Sequence, residues 1–130
     1  MSSRKLARLN DVTEAVFRAE QAKLSRLARR EADLRKQLET LLHDRSAVAR
    51  NERARDDAAL AAGADVLWHQ WIATRQTRLN SELLQVLALK ERQMDRVRKA
   101  HGRAEALRQL TLRTRAQEEA RRAARHERDG

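Results

Sequence analysis

Apolar residues recur along this chain at steps of three and four, first from Leu6 to Val48 and again from Leu67 to Leu110. That spacing lays a stripe along one face of an α-helix. In the first segment Leu6, Leu9, Thr13 and Val16 lead through Glu20 to Leu24. The two successive steps of four there read as a stutter, which locally unwinds a supercoil. From Leu24 the heptad continues through Leu27, Glu31, Leu34, Leu38, Leu41, Arg45 and Val48. The second segment offers Leu67, Trp71 with Ile72, Leu79, Leu83, Val86 with Leu87, Lys90 and Met94, then Val97, Ala100, Ala104, Leu107 and Leu110. No proline interrupts either segment, and the dominant residues (Ala, Arg, Leu, Gln and Glu) favour helix.

The two stripes mirror each other. In an antiparallel pair, facing residues have position numbers with a constant sum, and Leu60 with Leu67, Val48 with Leu79 and Leu41 with Val86 all give 127. Other registers a heptad away satisfy the same periodicity. The pattern predicts an all-α fold, a long two-helix antiparallel coiled-coil hairpin with its turn near Ala61–Asp65, where Gly63 ends one helix and Asp65 caps the next. The expected organisation is a single hairpin over residues 1–130, with helix 1 at about 3–60 and helix 2 at about 65–125. Arms of about 60 residues would each reach about 90 Å. Helix 1 starts at Ser2/Ser3, or at Asp11, where Asp11 and Glu14 have capping-box spacing. Residues 49–59 lack any large apolar side chain and should pack weakly. After Leu112 nothing apolar exceeds alanine, so Arg113–Gly130 is expected to leave the seam as a frayed basic tail. Arg45 and Lys90 fall at seam positions, where a long cation can reach solvent or set register.

Composition narrows the function. Charged residues make up 37% of the chain and only three side chains are aromatic, enough apolar bulk to fill a narrow seam but not a broad core. The net charge of +10 invites an anionic partner. Acidic residues are interleaved with basic ones throughout, however, and both halves are similarly basic, so a nucleic-acid-binding function is not favoured. No small-molecule substrate, cofactor or metal is expected and no residue is assigned a catalytic role: the four histidines are scattered, Glu39 and His43 lie four apart on one face but read as a solvated polar face, and no glycine-rich phosphate loop or nucleophile–base set occurs. The chain has no cysteine, which rules out disulfides and suits a reducing compartment. Its longest apolar run, around Ala58–Ala64, is far short of a bilayer span.

One local anomaly stands out. Trp68 and Trp71, two of the three aromatic residues, lie a helical turn apart and share a face with Arg75. They either plug the weakly packed stretch opposite residues 49–59 or form an exposed anchor, since tryptophan and arginine dominate interface hot spots. Both hold if one ring turns in and the other out. Trp68, Trp71, Ile72 and Arg75 are the candidate partner-binding residues. Phe17 is expected in the seam.

The segment Trp68-His69-Gln70-Trp71-Ile72-Ala73-Thr74-Arg75-Gln76 resembles the aromatic-Ile and Gln-rich segment that opens the second helix of FliJ/YscO-type stalk proteins of flagellar and type III secretion export. The segment Ala104-Glu105-Ala106-Leu107-Arg108-Gln109-Leu110 is similar to that family as well, and the likeness in size and layout covers nearly the whole chain. The resemblance implies a non-enzymatic hairpin like the coiled coil of the rotary ATPase gamma subunit. Its open end, with both termini, would enter a hexameric export ATPase. Another part would meet the export-gate membrane protein, and export chaperones would be escorted. It further implies a cytoplasmic protein, peripheral at the inner face of the bacterial membrane, that is a monomer when alone. Trp71 and Ile72 would then contribute to the gate-facing surface, although Arg75 and Arg78 stand where a more apolar face is expected. The alternative is a coiled-coil adaptor or scaffold outside export; a nonspecific nucleic-acid-binding helical protein ranks third.

Overall fold

The chain forms two long α-helices that pack against each other, with no strand among the described residues. The computed structural model describes residues 2–53 and 58–130, with side chains at 2–47 and 63–130. Helix α1 spans Ser3–Arg53 and α2 spans Ala58–Asp129. The hairpin expected from the sequence is therefore present, but its bounds differ. Ala61–Asp65, expected as the turn, lies inside α2, and no glycine has a positive φ. The alanines around Gly63 hold the helix through it, because one glycine costs only about 1 kcal/mol relative to alanine. The stretch 49–59, expected to pack weakly, falls outside the described side chains.

Both outer ends follow from local hydrogen bonding. Ser2 caps α1: its hydroxyl accepts from the Lys5 N–H at 3.3 Å, and its carbonyl accepts from Leu6 N at 3.1 Å. Asp11 lies within α1, so the capping box at Asp11 and Glu14 is not used. At the other end α2 does not fray after Leu112 but stays helical to Asp129, with His126 and Arg128 in its last turn complementing the helix dipole.

The contacts fall into two compact units. One comprises Met1–Ser25 with Arg92–Gly130, the other Arg26–Glu91. In the 26–91 unit the core is aliphatic: Leu34, Leu41, Ile72, Leu79 and Val86 are buried, with Leu38, Trp68 and Leu83 packed against them. At its edge Glu31 accepts from Lys90 Nζ at 3.0 Å and from Arg35 at 3.2 Å, and Arg30 reaches Glu82 at 2.9 Å. The bond from Lys90, then that from Arg35, holds the Glu31 carboxyl below the ordinary carboxylate value. Lys90 is thus a register-setting seam cation, whereas Arg45 is exposed.

The seam of the other unit mixes polar residues with apolar ones. Leu6, Ala100 and Ala104 are buried, but so are Gln93 and Thr111. Ser3 donates to the Glu118 carboxylate at 2.7 Å, and Asn10 donates to Thr111 Oγ1 and to the Leu6 carbonyl. Gln93 donates to the Glu20 carbonyl at 3.0 Å and to its carboxylate. That last bond, with Lys23 and Arg96 nearby, lowers the Glu20 pKa. Glu14 binds Arg108, which also holds Glu105, and these carboxylates raise the Arg108 pKa.

These pairs correct the register. Asn10 with Thr111, Ser3 with Glu118, and Glu31 with Lys90 each add to 121, and Glu20 with Gln93 to 113, not 127. Apolar periodicity repeats every heptad and so leaves such a shift open. Half-buried Glu20 and Glu31 close the choice, because each needs a donor opposite it. The corrected seam is also more regular. In α1 it runs through Ser3, Leu6, Asn10, Thr13, Phe17, Glu20 and Leu24, in steps of three and four with no stutter. Phe17 enters as expected, its ring tilted 46° against that of His101 with centroids 5.1 Å apart. Leu9 (41% exposed), Val16 (45%) and Leu110 (47%), all expected in the seam, are left outside it, as is Leu67.

Candidate partner-binding surface

Steps of three and four from Leu79 back along α2 bring Ile72 and Trp68, but not Trp71 or Leu67, onto the buried face. The four residues singled out by sequence therefore divide. Ile72 is 1% exposed and belongs to the core cluster, so it is not available to a partner on this surface, and its assignment as a contact residue is corrected. Trp68 is half-buried against that cluster, and its indole N–H is buried without a hydrogen-bond partner among the described residues. Trp71 is 51% exposed and stacks on Trp68, with ring centroids 5.2 Å apart and planes 24° from parallel. Arg75, one turn on, is exposed.

The result is one ring turned in and one turned out, with the buried ring supporting the exposed one. A tryptophan held this way loses little conformational freedom on binding, which is what makes a rigid aromatic an efficient anchor. Across the seam, Trp71 and Arg75 border a shallow groove whose other wall is α1 residues Lys36, Gln37, Thr40 and Asp44. Trp71 thus lies beside residues 36–44; the stretch 49–59, against which the sequence set it, falls outside the described side chains. Asp33, at the groove's end, accepts from Gln37 at 2.8 Å and pairs with Arg30 at 3.3 Å. The groove mixes one aromatic face with both signs of charge, so it suits a polypeptide surface better than a uniform polyanion.

A second surface escaped sequence reasoning because three of its apolar residues, Leu9, Val16 and Leu110, were counted as seam. On the 1–25 and 92–130 unit, Leu9, Val12 and Val16 form a strip on α1, with Val12 58% exposed. Leu110 lies on the same side of the seam, since it shares a hollow with Leu6, Thr114 and Arg121. Ala7, Asn10, Glu14, Arg108 and Thr111 line the opposite side. The available signal was the doubling of seam candidates: Leu9 beside Asn10, Val16 beside Phe17, and Leu110 beside Thr111 each offered two residues for one seam position.

Among the described residues, no group of three or more His, Cys, Asp and Glu is placed to hold a metal ion, and Glu39 and His43 are both exposed. No helix among them is long and apolar enough to cross a membrane. No family model, curated protein or solved structure matches this chain.

Proposed function

We propose that this chain is a non-enzymatic stalk of the FliJ/YscO type, linking a hexameric export ATPase to the membrane export gate and assisting chaperones that deliver export substrates. The observation that supports it most is a single chain that pairs with itself, its N-terminal and C-terminal stretches joined by the Ser3–Glu118 and Asn10–Thr111 bonds. A self-paired helical hairpin presents charged surface to a ring without a second subunit, as the coiled coil of the rotary ATPase gamma subunit does. In this reading the unit holding both termini enters the ATPase ring, and the exposed Trp71 and Arg75 meet the gate protein. The chain then works in the cytoplasm, peripheral to the inner face of the bacterial membrane, and is a monomer when alone.

The direct test is retention of the purified hexameric export ATPase on the immobilised chain at low salt. Retention that weakens with rising salt is expected; no retention at low salt overturns the proposal. Trp71→Ala should weaken binding to the cytosolic part of the gate protein while leaving ATPase binding intact. The second reading, a coiled-coil adaptor outside export, draws on the same exposed Trp71 surface and prevails if that surface binds a helical protein while the ATPase does not bind.

A further inference from the structure

The unit formed by Met1–Ser25 and Arg92–Gly130 has two unlike flanks. On one, acids stand among the cations: Arg108 binds both Glu14 and Glu105, and Asp11 lines a hollow there with Arg115. On the other, Leu9, Val12 and Val16 from α1 and Leu110 from α2 are 41–58% exposed. Helical spacing places Arg92, Arg96, Lys99 and Arg103 along that same side of α2. All four cations are exposed, and none makes a hydrogen bond or ion pair among the described residues; Arg96 acts only at a distance, on Glu20. Two acids border this flank, and both are occupied: Glu20 by Gln93 and Lys23, and Glu118, which lines the hollow with Leu110, by Ser3.

We propose that this flank docks an acidic amphipathic helix of another protein, which lies along the seam as a third helix. Three features select that occupant. A two-stranded seam needs apolar residues at two positions in seven, whereas a helix in a larger bundle carries a third. Residues 6–17 of α1 have that wider arc, with Leu9 and Val16 beside the seam residues Asn10 and Phe17. Leu110 also lines a hollow between the two helices, with Leu6 of α1 on its other wall, a shape that receives the ridge of a third helix; a membrane-surface helix instead carries its apolar residues on a convex crest. Finally, the unpaired cations bordering the strip call for carboxylates, and a nucleic acid would satisfy those cations while leaving Leu9, Val12 and Leu110 uncovered. The proposal stands apart from the export reading, since it rests on this flank alone.

The test uses the full chain and a fluorescent synthetic helix of about three heptads, with leucine along one stripe and glutamate elsewhere, so that its own charge opposes self-pairing. Anisotropy should report saturable binding in the micromolar range at about 0.1 M salt. Val16→Glu and Arg103→Glu should each weaken it about tenfold or more. Arg115→Glu, an exposed cation on the opposite flank, should change it less than about twofold. Each substituted site is exposed, and unchanged circular dichroism shows that the fold persists. The same chain is titrated with vesicles containing phosphatidylglycerol and with duplex DNA. Absence of peptide binding, equal loss in Arg115→Glu, or loss of vesicle or DNA binding in Val16→Glu and Arg103→Glu in place of peptide binding would each overturn the proposal.

Discussion

Ile72 and Trp71 are neighbours in sequence with opposite roles, and substituting each with alanine tests the helix phase on which the whole reading depends. Ile72 is 1% exposed among Leu34, Leu41, Leu79 and Val86. Deleting a fully buried Ile or Leu side chain to alanine costs about 2–5 kcal/mol, depending on how far the site collapses. A two-helix seam is open along both sides and relaxes more than an enclosed core, so Ile72→Ala should cost about 2–3 kcal/mol. Truncating a buried tryptophan costs about 3–5 kcal/mol, but Trp71 is 51% exposed; half that burial, with Trp68 left to settle, corresponds to about 1–2 kcal/mol. Urea unfolding followed by far-ultraviolet circular dichroism measures both. The two indoles supply an independent readout. Trp71→Phe leaves the half-buried Trp68 as sole emitter, and Trp68→Phe leaves the exposed Trp71, so emission of the first variant should lie to the blue of the second. A Trp71→Ala cost exceeding that of Ile72→Ala, or the reverse order of emission, refutes the assignment of one ring in and one out.

Other consequences are equally open to measurement. The chain has no cysteine, so a cysteine pair reports register: Asn10→Cys with Thr111→Cys should oxidise to an intramolecular disulfide at any protein concentration. Val16→Cys with Leu110→Cys, whose positions add to 126 and which would face each other near the 127 register, should stay reduced or cross-link between chains. Gly102 is helical with nothing within 4 Å of an added Cβ, so Gly102→Ala should stabilise by about 0.5–1 kcal/mol in urea titration; a loss would mean that another body packs there. Glu20 and Glu31 have folded-state pKa values below the ordinary carboxylate value, so the unfolded chain takes up protons first on acidification. Their contribution to stability is complete above the ordinary carboxylate range and disappears as pH falls through their lowered values. The double variant Glu20→Gln, Glu31→Gln should therefore show a flatter decline in urea midpoint below neutral pH than the parent; an identical pH profile would remove both groups from the seam.

Much of the candidate surface was legible in the sequence, but not how it divides. Two tryptophans a turn apart beside an arginine marked the place, and their stacking follows from helical spacing. Which ring faces outward depends on the helix phase, and hydrophobicity misled there, because Leu67 and Trp71 are as apolar as the residues that are buried. The Leu9–Val16 strip was hidden for the same reason. At three seam positions the chain turns a polar or aromatic residue inward, Asn10 and Phe17 partly buried and Thr111 buried, and leaves its aliphatic neighbour half exposed. A rule that assigns the most apolar candidate to the seam cannot find that.

What the sequence determined by itself is the secondary structure and the self-pairing. A chain without proline, rich in strong helix formers and carrying two long apolar stripes, has few ways to cover those stripes other than folding one helix on the other. Register, helix phase and the outward surfaces were decided by tertiary structure. Apolar contact energy is nearly periodic in steps of a heptad, so it leaves several registers close together. The half-buried carboxylates of Glu20 and Glu31 are specific about their partners, and the register in which Gln93 and Lys90 reach them is the one the chain adopts.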